Sequence, residues 1–236
     1  MKLAFALILG CAASAALAAD EAKKPIDLTL QWHVSLDANG GIISMKPVDD
    51  KNVELYRRLD PEVHQWHFSA GRVDGVAAPA ETTLTVNLRL EPTEGGYRLN
   101  LRNAGAGGSY ATTTAPKYPD GALVSHRGGG VLLRVDYDSD GRVTDATVVE
   151  GGSPKAGSDI RHAALASVKH WTFRPESIAG HPKAASVMVP ICFSVEPRTF
   201  ECRFVDPGSN REIGEGGPTS IDPIVRLDSN IADRVL

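Results

Sequence analysis

Residues 130–149 read GVLLRVDYDSDGRVTDATVV, and the fold turns on how this stretch is read. Val131, Leu133, Val135 and Tyr137 recur with period two, the pattern of a strand with one buried face. Asp138-Ser139-Asp140-Gly141 carries the residues of a tight hairpin turn, and Arg142 to Val149 returns as a second strand. Downstream, Ser158 or Asp159 stands where a helix N-cap is expected. It precedes an apolar stripe of Ile160, Ala163, Ala164, Leu165 and Val168. Trp171-Thr172-Phe173 follows, then Gly180, then a strand from Val187 to Val195. The local order is strand, strand, helix, strand.

The same order is written earlier in the chain. Leu28, Leu30, Trp32, Val34 and Leu36 alternate, Asp37-Ala38-Asn39-Gly40-Gly41 turns, and Ile42 to Met45 returns. Val53, Tyr56, Leu59 and Val63 make a helical stripe whose continuity Pro61 weakens. Trp66-His67-Phe68, Asp74-Gly75 and the β-rich run Thr82 to Leu88 complete the copy. Trp66 to Gly75 and Trp171 to Gly180 are both nine residues apart; Gly75 to Leu88 and Gly180 to Phe193 are both thirteen. The later copy is five residues longer between Gly141 and Trp171 than the earlier is between Gly41 and Trp66. Connecting loops absorb such insertions at little cost. The predicted fold class is α+β, with two tandem small units, each a three-stranded antiparallel sheet with a packed helix.

Outside these units the chain divides by composition. Residues 1–19 have one Lys, an apolar middle and Ala16-Leu17-Ala18 at the end, the layout of a cleaved secretory signal. Two alternatives stay open: acylation at Cys11, where Ile8-Leu9-Gly10-Cys11 loosely resembles a lipobox, and retention as a membrane anchor. The first unit is placed at 26–102, with Tyr97 to Arg102 as one further strand hairpinned across Glu94-Gly95-Gly96. Residues 103–114, rich in Gly, Ala, Ser and Thr, read as a linker. The second unit is placed at 115–205, and 206–236, without periodicity, reads as a flexible tail.

Composition excludes several classes of function. The 236 residues carry 25 basic and 29 acidic side chains, a net charge of −4 that becomes −5 if residues 1–19 are removed. Neither that balance nor the 6% aromatic content suits nucleic-acid binding. Removal of 1–19 also leaves two cysteines, Cys192 and Cys202. In an oxidising compartment such an even pair is expected to bridge; the alternative is that Cys192 is simply a small buried residue.

Residues 115–195 resemble the C-terminal domain of the TonB family of energy transducers. The resemblance rests on Pro116-Lys117-Tyr118-Pro119 with Ala122-Leu123, Gly130 to Val135 and Asp138 to Asp145. It continues through Ala163-Ala164-Leu165, Val168, Trp171-Thr172-Phe173-Arg174-Pro175, Gly180-His181-Pro182 and Val187-Met188-Val189-Pro190. The earlier unit resembles the same domain more weakly, without the Tyr-Pro segment. The resemblance implies a sheet whose edge strand adds a short segment of an outer-membrane receptor, through main-chain hydrogen bonds. It points to Val187, Val189, Ile191 and Phe193 on the candidate edge, where Pro190 lacks a donor. Tyr118-Pro119 either pins the leading segment to the core or rims the partner groove. Family members that drive transport also carry a transmembrane helix and a Pro-rich spacer; no such spacer is read here, and no permanent helix is expected unless residues 1–19 are retained.

Other clusters read as structure rather than chemistry. Asp136, Asp138 and Asp140 imitate a calcium loop, but its twelfth position is Thr147, and a hairpin turn explains the aspartates. His64, His67, His162 and His170 lack metal-site spacing. Ser125-His126 is no catalytic dyad, and Gly128-Gly129-Gly130 precedes a strand rather than following one. Trp66, Phe68, Trp171 and Phe173 are expected to seal helix against sheet, and Gly141 to make the turn. No catalytic residue, metal or cofactor is expected. The expected function is a periplasmic, TonB-like module binding an envelope protein or itself, with no nucleic acid and no membrane unless the N-terminal segment is retained or lipidated. The alternatives are a duplicated envelope scaffold and, if 1–19 are retained, an anchored transducer.

Overall fold

The computed structural model describes residues 24–195 and 201–228; the expected signal segment falls outside them. The first unit comprises β1 (Ile26–Leu36), β2 (Ile42–Pro47), α1 (Val53–Val63), β3 (Gly71–Val73), β4 (Val76–Ala78), β5 (Ala80–Thr93) and β6 (Gly96–Gly107). There follow β7 (Ser109–Thr112), α2 (Asp120–Val124), β8 (Gly129–Tyr137), β9 (Val143–Val149), β10 (Gly152–Ser153) and α3 (Ser158–Val168). The last elements among the described residues are β11 (Thr172–Arg174), β12 (Ser177–Ile178), β13 (His181–Pro182), β14 (Ala185–Phe193), β15 (Arg203–Phe204) and β16 (Thr219–Ser220). Among the described residues no helix is long and apolar enough to cross a membrane.

Both units run strand, strand, helix, hairpin, strand, with the last strand beside the first: β5-β1-β2 and β14-β8-β9. The turns match atom for atom. Asp37 takes the Asn39 and Gly41 amides on Oδ1, and Asp138 takes those of Asp140 and Arg142. Gly40 (φ +86°) and Gly141 (φ +79°) lie in the left-handed region, each pressed on a backbone carbonyl, of Phe68 and Phe173 respectively. A side chain at either position would strike that carbonyl, so glycine is required twice over. Gly40 is therefore the counterpart of Gly141, and the later unit is four residues longer there rather than five.

Each unit has its own core. Leu30, Trp32, Val34 and Leu36 of β1 meet Tyr56, Leu59 and Val63 of α1, with Leu84, Val86 and Leu88 of β5 beside them. Trp32 stacks edge-on against Tyr56 at 4.9 Å. Pro61 sits exposed in the last turn of α1, where it removes one backbone donor from the helical ladder while the helix runs on to Val63. In the second unit Val131, Leu133, Val135 and Tyr137 of β8 meet Ile160, Ala164 and Val168 of α3. Each such large side chain contributes about 1.5–3 kcal/mol on burial. The α3 N-cap is Gly157 rather than Ser158 or Asp159; Asp159 pairs instead with Arg127 at 2.7 Å.

The three-strand expectation is corrected on both sides. β6, which contains the further strand expected at Tyr97 to Arg102, joins the first sheet through β5, as does the unexpected β12–β13 hairpin, making six strands; β16 joins the second, making four. The first unit therefore contains a hairpin contributed by the second. The outer sides of β2 and β9 have no strand partner among the described residues.

The 103–114 linker and the 206–236 tail are also corrected, since both are built into the fold up to residue 228. β7 pairs with β11, and Thr112 meets Thr172 through their hydroxyls at 2.6 Å. Leu227 bridges Phe68 in the first unit, and Arg226 and Ser69 exchange backbone and hydroxyl hydrogen bonds. Each Trp-x-Phe segment is thus covered by a distant stretch of chain, β7 on Thr172 to Arg174 and the single bridge of Leu227 on Phe68. Five glycines of the linker and tail mark close approach to distant segments. Gly107 abuts Ser220, Gly108 abuts the Tyr137 hydroxyl, and Gly214, Gly216 and Gly217 lie on Asn87, Thr29 and Gln31 of the first sheet's polar face. Val225 is fully buried in the first core.

Candidate protein-docking edge

β14 runs antiparallel to β8 along its whole length, from Ala185 opposite Tyr137 to Phe193 opposite Gly129. Val187, Val189, Ile191 and Phe193 point into the second core and are buried there. These four candidates therefore offer no side chain to a partner; only their strand's backbone edge is available. Side chains alternate, and so do backbone groups: Ile221 donates to the Ser186 carbonyl at 3.0 Å, so Ser186, Met188, Pro190 and Cys192 direct theirs outward. Pro190 thus lacks an N–H on the outer side, where no interior ladder bond is lost.

That outer side is already partly occupied. β16 pairs antiparallel with it through Val187 opposite Ser220 and Met188 opposite Thr219. Nothing in the sequence of the tail signals this, because a two-residue strand has no periodicity to detect. At the far end of β14, Cys192 is bonded to Cys202, the expected bridge. Beyond Met188 no strand pairs with this side among the described residues. The equivalent side of β5 is closed: β12 covers Ala80 and Glu81, and β6 covers Thr83 to Thr93.

Tyr118 packs edge-on against Phe193 at 5.5 Å, and its hydroxyl donates to the Arg127 carbonyl at 2.7 Å. Burial and the neighbouring Arg127 act on this hydroxyl in opposite senses, and burial, which raises its pKa, wins. Both contacts tie the leading segment to the end of β14. Pro119 is the N-cap of α2, its carbonyl accepting the Ala122 and Leu123 amides. Trp171, 7% exposed, donates its indole N–H to the Thr114 carbonyl at 2.9 Å and to Ser167 Oγ at 3.2 Å. Trp66 and Phe68 lie in the first core, but the Trp66 indole N–H has no partner among the described residues.

Glu176, which the sequence does not single out, joins the tail to both units. It is 3% exposed, accepts from Thr82 Oγ1 at 2.7 Å and from the Ile224 amide at 2.9 Å. Burial pushes its carboxyl above the ordinary range, and the nearby Asp222 adds to this; the hydrogen bonds from Ile224, Thr82 and Val225 oppose the rise. Its signal in the sequence is only a charged residue directly after Arg174-Pro175, too slight to reveal a buried carboxylate.

Between the tail and the first sheet lies a cleft of about 850 Å³, lined by Asp27, Arg89, Arg102, Glu201, Arg203, Glu212, Glu215 and the disulfide, among others. Arg89 pairs with Asp27 at 2.7 Å and Arg102 with Glu212 at 3.5 Å. Burial raises the Glu215 carboxyl, and Asp27 and Glu201 reinforce the shift. Among the described residues the one group of three metal-capable side chains is Cys192, Cys202 and Glu215.

Residues 114–195 match the family described as Gram-negative bacterial TonB protein C-terminal. Two curated proteins called Protein TonB, from strain B100 and a second strain of Xanthomonas campestris pv. campestris, are each 32% identical over 80 residues. Each alignment covers 34% of this chain and 34% of the relative, so the chain spans about a third of the length of these relatives.

Proposed function

We propose that residues 114–195 form a periplasmic protein-binding module of TonB-type envelope transport. It takes an extended segment of an envelope partner as an added strand on the outer side of β14. The observation that carries this reading is β16 itself: a segment of the chain's own tail lies antiparallel on that side, held by two residue pairs and the Ile221–Ser186 hydrogen bond. The side accepts a strand, and its present occupant is short. Each backbone bond contributes about 0.5–1.5 kcal/mol net, so a longer segment pairing onward to Cys192 displaces β16 with a net gain in hydrogen bonds.

We read residues 26–102 as a degenerate copy of the same domain. The matched element order, the matched Asp turns and the paired Gly40–Phe68 and Gly141–Phe173 contacts support that reading. With the corresponding side of β5 closed by β6 and β12, the first unit acts as support and the second as the binder. The reading assigns the protein no catalytic step.

The test is titration of the full chain with a synthetic peptide from the periplasmic N-terminal segment of a TonB-type outer-membrane receptor. A second peptide, N-methylated at every other residue so that its donors toward β14 are gone, cannot bond the outward carbonyls beyond Met188, where β16 does not reach. Binding of the unmodified peptide that is at least tenfold tighter than that of the N-methylated one is the expected result. Equal binding of both peptides contradicts the β14 site. Self-association with no peptide binding favours the scaffold.

A further inference from the structure

We propose that, once the Cys192–Cys202 disulfide is reduced, Cys192, Cys202 and Glu215 bind a zinc ion. This inference stands apart from strand addition on β14. One ligand atom from each of the three residues lies within 4.8 Å of the others. Zinc takes thiolate and carboxylate ligands together, at about 2.3 Å and about 2.0–2.2 Å, with a water free to fill the fourth position. Tetrahedral geometry sets two thiolates roughly 3.8 Å apart at that Zn–S length. The two cysteine Cα atoms, 5.7 Å apart, need only rotate their side chains to reach it.

The donors hold their places without the disulfide. Cys192 lies opposite Gly130 in the β14–β8 ladder. Cys202 directly precedes β15, whose Arg203 and Phe204 pair with Ser153 and Gly152. Phe204, 1% exposed, is packed with Leu132 and Ile213, and its carbonyl accepts the Ile213 amide at 2.9 Å. Glu215 follows two residues later on the same strap. Reduction therefore frees two thiols inside a scaffold that three separate backbone attachments maintain.

The surrounding charge favours a cation. Asp27 and Glu212 are occupied by Arg89 and Arg102, whereas Glu215 has no cationic partner among the described residues and lies near Asp27 and Glu201. The cleft of about 850 Å³ gives an ion access from solvent. A dithiol reductant supplies two electrons and two protons: the Cys192–Cys202 bond breaks, two thiols form, and the reductant becomes a disulfide. Zinc binding then releases the two thiol protons as the thiolates coordinate.

The test uses the full chain, reduced and freed of metal, titrated with zinc and separately with cobalt(II). The expected result is one ion per chain, thiolate-to-cobalt charge-transfer absorption, and no such absorption in the oxidised protein. Glu215→Gln keeps both thiols and the disulfide, so it tests the site without disturbing the fold; it should weaken zinc binding at least tenfold. Cys192→Ser should abolish the charge-transfer band of a two-thiolate site. The proposal is overturned if the reduced wild type binds no zinc, if it loses its folded circular dichroism on reduction, or if Glu215→Gln binds as tightly as the wild type.

Discussion

The backbone N–H of Ile221 donates to the carbonyl of Ser186 at 3.0 Å, fastening the end of the chain to the outer side of β14. This bond orients the whole strand. It shows which backbone groups face a partner and which face β8, and it marks the position where the tail and an incoming strand compete.

Ile221→Pro removes that donor from an exposed residue, and the cost to global stability should stay near that of one hydrogen bond, about 0.5–1.5 kcal/mol. Affinity for a receptor peptide should rise, because the competing strand is weakened. Denaturant unfolding and peptide titration of the same protein check both. A fall in affinity would show that β16 supports the site rather than occupying it.

The two tryptophans separate packing from hydrogen bonding. Trp171 donates to Thr114 and Ser167, whereas the buried Trp66 indole N–H has no partner among the described residues. Both lose ring volume on change to phenylalanine, but only Trp171→Phe also loses bonds. It should be less stable than Trp66→Phe by roughly 1–2 kcal/mol in urea unfolding. Equal losses would mean that the Thr114 contact contributes nothing.

Glycine substitutions separate conformational strain from collision. Gly180 has φ +78° with nothing within 4 Å of where an added methyl would stand, whereas Gly141 at φ +79° meets the Phe173 carbonyl. Gly180→Ala should cost about 1–2 kcal/mol from backbone strain alone. Gly141→Ala should cost clearly more, with a melting temperature lower than that of Gly180→Ala. The opposite order would show that the turn can yield.

Glu176 makes stability depend on pH. Its folded carboxyl is raised above the ordinary 4.5, so the native state holds this proton more tightly than the unfolded state does. Its contribution is therefore greatest below 4.5 and is lost as pH climbs through the folded value. Glu176→Gln should flatten the decline in melting temperature across that window. An unchanged slope would place the titration elsewhere.

The local elements of this fold are legible in the sequence because their causes are local. Val131 to Tyr137 alternates and Asp138 to Gly141 turns, each decided within a few residues. The linker and the tail are not legible, because what orders them is distant. Thr112 finds Thr172 sixty positions away, and Ser69 binds Arg226. The small residues that suggest looseness are there because Gly107, Gly108 and Gly216 touch other chain segments with no room for a side chain. The candidate site is legible as a strand but not as an edge. Period two picks out Val187, Val189, Ile191 and Phe193, whose side chains fill the core; the backbone groups that face the edge belong to Ser186, Met188, Pro190 and Cys192, with Met188 and Cys192 packed on the other face of the sheet.

Residue-resolved amide hydrogen exchange, with and without a saturating receptor peptide, tests strand addition at β14 most directly. If the added segment replaces β16, exchange at Ile221 speeds up while Met188 stays protected and Cys192 becomes slower. If Ile221 and Cys192 exchange at the same rates while the peptide is bound, the partner docks elsewhere and the β14 account is wrong.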